Sequence, residues 1–308
     1  MQSSFRDRDI ISINDMTREE ILYILEITDT MEPLLRRGSE ILKGKLLVSL
    51  FYEASTRTRL SFESAMHRLG GDVLGFAESR TSSVQKGENL ADTIRVVENY
   101  GDIIILRHPM EGAARLAAEF SSIPVVNAGS GAEEHPTQAL LDLYTIQKEL
   151  GRIDEVKIGM VGDLRYGRTV HSLAYGLANF DVDLHLIASE SLKMRREVLE
   201  QIRDRITIKE TERIQDILPE LDVLYVTRLQ KERYVDPSEY ERVKGAYKIT
   251  EESLRSAKDS LIIMHPLPRI DEISSDVDLT RHAKYFKQTQ YGVLTRMAIL
   301  SLIFNTIN

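Results

Sequence analysis

Five consecutive residues, Ser55-Thr56-Arg57-Thr58-Arg59, combine three hydroxyl groups with two guanidinium groups. They follow an apolar run at 45–51 and precede an amphipathic run at 60–69, so they are predicted to form a strand-to-helix corner. The first amides of a helix lack partners within it, and the helix dipole adds partial positive charge there. With the guanidinium groups, this corner favours a bound anion, most simply a phosphate. The alternative is a helix capped by Ser55 with both arginines in solvent.

Cations or histidines also follow most of the other predicted strands. Open parallel sheets bind ligands outside the carboxyl ends of their strands, so a ligand is expected at these positions. They are Arg107-His108, Arg168, Arg228 and the segment from His265 to Arg269. The pattern predicts one or two ligands that carry several negative charges. For any single arginine, a solvated surface position remains the alternative.

Three of the seven histidines directly precede proline, which restricts the backbone of the residue before it. For His108 and His265 we expect a capping or core role, which is the commoner one for a lone histidine. His135 differs, because Gln138 follows one helical turn later and the two side chains can face the same small polar ligand. His135 and Gln138 are therefore candidate ligand-binding residues.

The segment from Gly162 to Gly167 follows a predicted strand and invites a dinucleotide-binding interpretation. The signal is poor, because Asp163 and Leu164 stand where a second glycine would let the backbone approach a pyrophosphate. The sequence also contains no phosphate-binding lysine loop, no His-Glu-x-x-His helix and no nucleophile-elbow serine. Metal, hydride and covalent serine chemistry are therefore unsupported, and we expect neither a cofactor nor a metal.

The elements that position these residues alternate between strands and helices. This order predicts an α/β fold of two doubly wound domains, each a mainly parallel sheet flanked by helices, with a cleft between them. A chain of 308 residues is long enough for two cores. The predicted domains are 1–150 together with an amphipathic C-terminal helix within 290–308, and 151–289. Two polar segments, 77–88 and 228–240, are predicted to be functional loops.

Composition excludes several other classes of function. The net charge of −8 argues against nucleic acid as a partner, since a phosphate backbone calls for a basic face. No apolar run is long enough to cross a membrane, and the N-terminus lacks the apolar core of a signal peptide, so we expect a cytoplasmic protein. The absence of cysteine excludes disulfides, thiolate nucleophiles and Cys-ligated zinc in this sequence.

These motifs, taken together and in order, resemble the family of aspartate and ornithine carbamoyltransferases over nearly the whole chain. The segments that carry the resemblance are Ser55 to Arg59 with Phe62-Glu63, Lys86-Gly87-Glu88, Arg107-His108-Pro109, His135-Pro136-Thr137-Gln138, Gly162-Asp163 through Arg168-Thr169, Thr227 to Gln230, and His265 to Arg269. Ornithine enzymes typically carry His-Cys-Leu-Pro and a Ser-Met-Gly loop, whereas this chain has His265-Pro266-Leu267-Pro268 and no Ser-Met-Gly. The arginines agree with the aspartate members, since Arg168 and Arg228 suit two carboxylates and would repel ornithine.

The resemblance implies a carbamoyl-group transferase that uses carbamoyl phosphate and L-aspartate in pyrimidine biosynthesis. The alternative is an ornithine or other amino-acid carbamoyltransferase. The implied carbamoyl-phosphate-binding residues are Ser55, Arg57, Thr58, Arg107, His135, Gln138, Leu267 and Pro268. The implied aspartate-binding residues are Lys86, Arg168, Arg228 and Gln230, and the implied catalytic residues are His135, Arg107, Thr58 and Lys86. In the family the Leu267-Pro268 bond would be cis, which aims the Leu267 carbonyl at the ligand.

The resemblance also implies a homotrimer with shared active sites. Ser82 and Lys86 belong in the family to a loop that reaches into the neighbouring subunit's site, although Ser83 is an alternative to Ser82. Glu53 and Arg233 resemble an interdomain ion pair that favours domain closure, with a solvated loop charge as the alternative for Arg233. Whether a separate regulatory chain binds is left open by the sequence.

Overall fold

The computed structural model describes residues 5–77, 87–229 and 247–307. The chain divides into two compact units: Met1–Tyr144 with Thr289–Asn308, called unit 1, and Thr145–Gln288, called unit 2. We predicted the boundary at Gly151-Arg152, whereas this division falls inside a helix. Gly151 has a φ of 76°, and its amide donates to the Gln147 carbonyl at 2.8 Å. This glycine therefore ends the helix, six residues after the division between the compact units.

Unit 1 has two N-terminal helices followed by alternating strands and helices. They are α1 (Arg18–Thr30), α2 (Glu32–Arg37), β1 (Leu46–Phe51), α3 (Thr56–Arg68), β2 (Asp72–Phe76), α4 (Leu90–Val97), β3 (Ile103–His108), α5 (Ala113–Phe120), β4 (Val125–Ser130) and the first part of α6 (Pro136–Leu150). The four strands are parallel, in the order β2-β1-β3-β4. The order of the strands therefore reverses between β1 and β3.

The strands of unit 1 form where short apolar runs become covered on both faces of the sheet. All of β1 except its first residue is buried, and Ile104 and Val125 of the neighbouring strands are also fully buried. Such continuous apolar runs are typical of parallel strands with helices on both faces. Val48, Ile104 and Val125 pack with Ala117 of α5 in one core cluster.

Unit 2 continues the same alternation with a second sheet. Its elements are the end of α6, β5 (Val156–Val161), α7 (Arg168–Leu177), β6 (Val182–Ile187), α8 (Arg196–Ile202), β7 (Thr207–Thr211), β8 (Val223–Val226), β9 (Ile262–Met264) and the start of α9 (Tyr285–Ile303). All five strands are parallel, in the order β7-β6-β5-β8-β9. The predicted α/β fold with two parallel, helix-flanked sheets is confirmed.

Short 3-10 helices are also present in both units, at Ile13–Asp15, Glu98–Tyr100, Glu190–Leu192, Ile214–Asp216, Leu218–Glu220, Ser253–Ser256 and Ser275–Leu279.

The prediction that the C-terminal helix is amphipathic was wrong. Every residue from Leu294 to Ile303 is buried, including the polar Thr295, Arg296 and Ser301. A helix that is covered all round has no solvent face to give its sequence a polar stripe. Its residues from Thr289 onward belong to unit 1. No helix in the described part of the chain, α9 included, is long and apolar enough to span a bilayer.

Candidate functional site

The carboxyl ends of β1 and β3 lie side by side where the strand order of unit 1 reverses. Phe51 pairs with Arg107 in the sheet register, and the Tyr52 amide donates to the Arg107 carbonyl at 2.9 Å. The corner Ser55 to Arg59 follows β1 directly. The structure thus brings two of the predicted anion-binding elements to one edge of one sheet, at the switch point where open α/β sheets bind ligands.

The corner opens helix α3, but it does not use Ser55 as the capping alternative requires. Ser55 occupies the N-cap position with extended backbone, and among the described residues its side chain makes no capping hydrogen bond. By contrast, Thr17 of α1 forms a complete capping box with Glu20. The capping alternative therefore fails for the Ser55 side chain, and the amides of the first turn, which have no partner within the helix, can bind an anion.

The two arginines of the corner are placed differently. Arg57 is exposed at the second residue of α3. Arg59 forms an ion pair with Glu63 one turn along the same helix, with Nη1 3.3 Å from Oε1. An ion pair of this kind on a helix surface contributes little to stability, on the order of 0.5 kcal/mol.

Thr58 and His135 meet inside unit 1 although 77 residues separate them. Thr58 Oγ1 lies 3.3 Å from His135 Nε2, and both residues are buried. His135 directly precedes α6, and its carbonyl accepts from the amides of Gln138 at 2.9 Å and Ala139 at 3.2 Å. These bonds fix the His135 backbone at the start of α6, so its ring is held against the corner after β1.

Gln138 is the candidate within α6, and a hydrogen bond fixes its side chain. Its Nε2 donates to Asp142 Oδ1 at 2.9 Å, one helical turn further along. Asp142 is fully buried. Because the amino end of the amide faces Asp142, its carbonyl oxygen is the end that remains to accept from a ligand.

Arg107 is held between a carboxylate and a backbone carbonyl. Its Nε lies 3.3 Å from Glu53 Oε2, and its Nη1 donates to the Ala128 carbonyl at 3.3 Å. The side chain is 11% exposed, so the guanidinium is largely withdrawn from water. Glu53 was predicted to pair with Arg233, a residue outside the described ranges; here its carboxylate contacts Arg107.

Unit 2 repeats the arrangement at the reversal point of its own sheet, between β5 and β8. Val161 pairs with Val226, and the Thr227 amide donates to the Val161 carbonyl at 2.9 Å. Arg168 is the first residue of α7, and Arg228 follows the end of β8; both are half-buried. The two predicted aspartate-binding arginines therefore follow the two strands that flank this switch point.

The loop after β5 does not fit a dinucleotide. Gly162 is required because a Cβ there would lie 2.3 Å from the Thr227 carbonyl oxygen, so the glycine serves strand packing. Asp163 is fully buried, and its Oδ1 accepts from the amides of Arg165 at 3.1 Å and Tyr166 at 2.9 Å. These amides bind their own loop, not a pyrophosphate. Within residues 5–77, 87–229 and 247–307 no cluster of three or more potential metal ligands occurs.

Leu267 lies in unit 2 on a backbone that His265 supports. The Leu267 amide donates to His265 Nδ1 at 2.8 Å, so the histidine proton is on Nε2, which donates to Glu272 Oε1 at 2.8 Å. Burial alone would raise the pKa of Glu272, but this hydrogen bond and backbone amides lower it below its ordinary value. Leu267 has a φ of 54°, and the Leu267-Pro268 bond is cis, as the resemblance implied.

The structural roles expected for two histidines are confirmed. His265 is fully buried and supports Leu267 through hydrogen bonds. His108 ends β3, where its Nδ1 accepts from the Met110 amide at 3.1 Å and its ring packs on Tyr52. Burial lowers the pKa of His108, which keeps this ring neutral at physiological pH.

Sequence reasoning missed three buried charged residues near these candidates. Asp142 had one available signal, its spacing of four from Gln138 on a helix. Glu134 precedes His135 and accepts from Ser12 Oγ and, at 3.0 Å, from the Ile13 amide. Burial raises the pKa of Glu134 to about 7. Neither Glu134 nor Arg296 of α9 had a local sequence signal, because both depend on contacts with distant segments.

Some predicted residues fall outside the part of the chain that the structure describes. They are Ser82, Ser83, Lys86, Gln230 and Arg233. The roles assigned to them from the sequence therefore stay predictions.

Two family models match the chain, one in each half. The model described as aspartate/ornithine carbamoyltransferase, carbamoyl-P binding domain, matches residues 8–148. The model described as the Asp/Orn binding domain of the same family matches residues 154–303.

Individual relatives agree over nearly the whole chain. The aspartate carbamoyltransferase catalytic subunit of Thermococcus onnurineus is 54% identical over 306 residues, which are 98% of this chain and 99% of the relative. The catalytic subunit of M. jannaschii aspartate transcarbamoylase is 53% identical with a TM-score of 0.90, covering 97% of this chain and 98% of that structure. Aspartate transcarbamoylase from Trypanosoma cruzi, solved with carbamoyl phosphate and aspartate, is 40% identical with a TM-score of 0.92, covering 96% of each chain. Sequence and fold together confirm the resemblance read from the motifs: the chain belongs to the aspartate/ornithine carbamoyltransferase family.

Proposed function

We propose that this chain transfers the carbamoyl group of carbamoyl phosphate to the amine of L-aspartate, giving N-carbamoyl-L-aspartate and phosphate, a step of pyrimidine biosynthesis. The observation that carries the proposal is the buried contact between Thr58 and His135 beside the switch point of the unit 1 sheet. This contact brings together a helix N-terminus that can bind a phosphate and a histidine that can donate a hydrogen bond to a carbonyl oxygen. The relatives named above as aspartate enzymes support aspartate over ornithine as the acceptor.

The phosphate group is assigned to the amino end of α3. Ser55, Arg57 and Thr58 of this corner would bind its oxygens, with Arg107 from the end of β3. Guanidinium groups match the geometry of phosphate oxygens, and the amides of the first helical turn add partial positive charge. The exposed Arg57 can reach a ligand in solution, whereas the largely buried Arg107 is already oriented by Glu53 and Ala128.

The carbamoyl group is assigned to residues that can both donate and accept. His135, Arg107 and Thr58 would donate to the carbonyl oxygen, on which negative charge grows as the amine attacks. Preorganised donors of this kind each stabilise a transition state by about 3–4 kcal/mol. The carbamoyl NH2 group would donate to the Gln138 carbonyl and to the Leu267 backbone carbonyl next to Pro268.

Aspartate is assigned to a set of cationic and polar residues. Its two carboxylates need at least two cations, and guanidinium groups bind carboxylates through paired hydrogen bonds. The assigned residues are Arg168, Arg228, Gln230 and Lys86. In the transfer the aspartate nitrogen bonds to the carbamoyl carbon, the bond from that carbon to the phosphate oxygen breaks, and the departing phosphate takes the amine proton.

A product assay with two acceptors tests this function. Purified protein is incubated with carbamoyl phosphate and either L-aspartate or L-ornithine, and ureido product is measured by colorimetry. We expect product with aspartate and none above background with ornithine. Product with ornithine alone would establish the alternative acceptor, and binding of carbamoyl phosphate without product from either would contradict an enzymatic role.

We also propose a cytoplasmic homotrimer whose active sites are shared between neighbours. Ser82 and Lys86 of one chain would act in the neighbour's site, and substrate binding would close the domains. The name of the Thermococcus relative, a catalytic subunit, supports the search for a separate regulatory chain. Sedimentation of the protein from its native source would show a trimer of 35.1 kDa chains, or a larger complex if a regulatory chain is bound.

A further inference from the structure

A buried carboxylate fixes the orientation of the Gln138 side-chain amide through a hydrogen bond. Its Nε2 donates to Asp142 Oδ1 at 2.9 Å, and the Asp142 side chain is shielded from water. An ionised carboxylate only accepts hydrogen bonds, so it bonds the amino end of a glutamine and rejects the carbonyl end. Asp142 therefore selects one of the two orientations that an amide of this shape could adopt.

Arg296 supplies a buried positive charge that interacts with this carboxylate. The residue is 3% exposed, and its guanidinium lies over the Phe62 ring with 4.9 Å to the ring centroid. It donates to the Gly292 carbonyl at 3.1 Å and to Thr137 Oγ1 at 3.4 Å. Burial lowers the pKa of Arg296 to about 10, while the charge of Asp142 opposes that shift. Arg296 therefore remains protonated at physiological pH and compensates the buried carboxylate.

These contacts join three helices of unit 1. Phe62 belongs to α3, which also carries Thr58; Asp142 and Thr137 belong to α6, which follows His135; and Arg296 belongs to α9. A buried and paired group of this kind fixes the orientation of its members, because any rotation would leave a charge or a donor without compensation. Gln138 is the member of this group that the proposed function assigns to the carbamoyl group.

We propose that Asp142 is a positioning residue that holds the Gln138 carbonyl oxygen toward the carbamoyl NH2 group, so that the site prefers a carbamoyl group to an acetyl group of the same shape. This inference rests on the proposed function. A carbamoyl group offers an N–H donor where an acetyl group has a methyl, and only the donor can use the oriented carbonyl oxygen. If the Gln138 amide were rotated by half a turn, its NH2 group would face the NH2 group of the ligand, and two donors cannot form a hydrogen bond with each other.

The test compares two ligands on one set of variants. Dissociation constants for carbamoyl phosphate and for acetyl phosphate are measured by calorimetry on wild type and on Asp142→Asn, which keeps the volume but can also donate. We expect the carbamoyl phosphate constant to rise about tenfold, as for the loss of one hydrogen bond, and the acetyl phosphate constant to stay within about twofold. The double variant Asp142→Asn with Arg296→Met, which removes both buried charges, should show the same selective loss if the single variant folds poorly.

A control on the same helix separates positioning from general damage. Tyr144→Phe removes the 2.8 Å hydrogen bond from Tyr144 Oη to Asp29 and should leave the ratio of the two dissociation constants unchanged. Equal weakening of both ligands in the Asp142 variants, or no weakening of either, would overturn the inference. Wild-type protein that fails to bind carbamoyl phosphate and to make carbamoyl-aspartate would instead overturn the proposed function.

Discussion

The candidate residues of unit 1 and unit 2 are held in different ways. Thr58 and His135 are buried and contact each other, whereas Arg168 and Arg228 follow strand ends and keep part of their surface exposed. Donors that stabilise a developing charge must be oriented before the reaction, since their reorientation would cost energy during it. Guanidinium groups that bind existing carboxylates tolerate partial exposure. We therefore expect variants of Thr58 and His135 to change the chemical step and variants of Arg168 and Arg228 to change the use of aspartate.

The largest effect is expected from His135→Ala. Its ring is placed to donate to the oxygen whose charge grows in the transition state, so kcat should fall by about 10²- to 10³-fold while the KM for carbamoyl phosphate changes little. Steady-state kinetics at saturating aspartate give both parameters. Arg57→Ala is the matched comparison, because it should chiefly raise the KM for carbamoyl phosphate. Purely KM effects of similar size in both variants would contradict the assigned roles.

Arg228→Ala should act on the second substrate alone. We expect aspartate turnover to fall by about 10²-fold, as for the loss of one strong transition-state contact, with carbamoyl phosphate binding nearly unchanged. Calorimetry with carbamoyl phosphate and kinetics with varied aspartate distinguish the two effects. Near-normal turnover would show that Arg228 is a solvated surface charge. Unit 2 would then lack one of the two arginines on which the comparison with unit 1 depends.

Glu134→Gln tests whether a buried acid beside His135 makes unit 1 sensitive to pH. The folded-state pKa is raised from 4.5 to about 7, so the folded protein binds this proton more tightly than the unfolded one. The wild-type free energy of unfolding should therefore fall as the pH rises from about 4.5 to about 7, by about 2.5 kcal/mol more than in the variant, which cannot ionise. Urea titrations at both pH values measure it. Parallel pH profiles would show that Glu134 has an ordinary pKa.

The smallest effect is expected from Arg59→Ala. Arg59 pairs with Glu63 on the surface of α3, and such pairs contribute on the order of 0.5 kcal/mol. The KM for carbamoyl phosphate should stay within about twofold of wild type, in contrast with Arg57→Ala. If Arg59→Ala weakens binding as strongly as Arg57→Ala does, both guanidinium groups of the corner bind the phosphate.

The sequence was informative wherever local rules decide the outcome. The strand-end rule correctly located Arg107 at the end of β3 and Arg228 just after β8, because parallel strands order their carboxyl ends at one edge of a sheet. Arg168 lies further from its strand, at the first residue of α7. The pairing of Thr58 with His135 followed only from the family resemblance, since no local rule joins residues so distant along the chain. The helix N-terminus at Ser55 was also located correctly, although its hydroxyl does not cap it.

What the sequence did not reveal depends on tertiary burial. Asp142, Glu134 and Arg296 look like ordinary surface charges in their local sequence, and only the packing of distant segments buries them. The amphipathic interpretation of α9 failed for the same reason, because a helix covered on all sides can retain polar residues that find partners inside.

Unit 1 is built from two segments that are far apart in the sequence, and this has a consequence for synthesis of the chain on the ribosome. Domains usually fold as the nascent chain emerges, N-terminal part first. Here unit 1 needs Thr289–Asn308, so all of unit 2 emerges before unit 1 can be completed. Until then Phe62 lacks the guanidinium of Arg296, and Asp142 lacks its counter-ion. Unit 1 is therefore the first unit to emerge from the ribosome and the last to complete its fold. A nascent chain stopped at residue 288 contains all of unit 2 but only the first segment of unit 1.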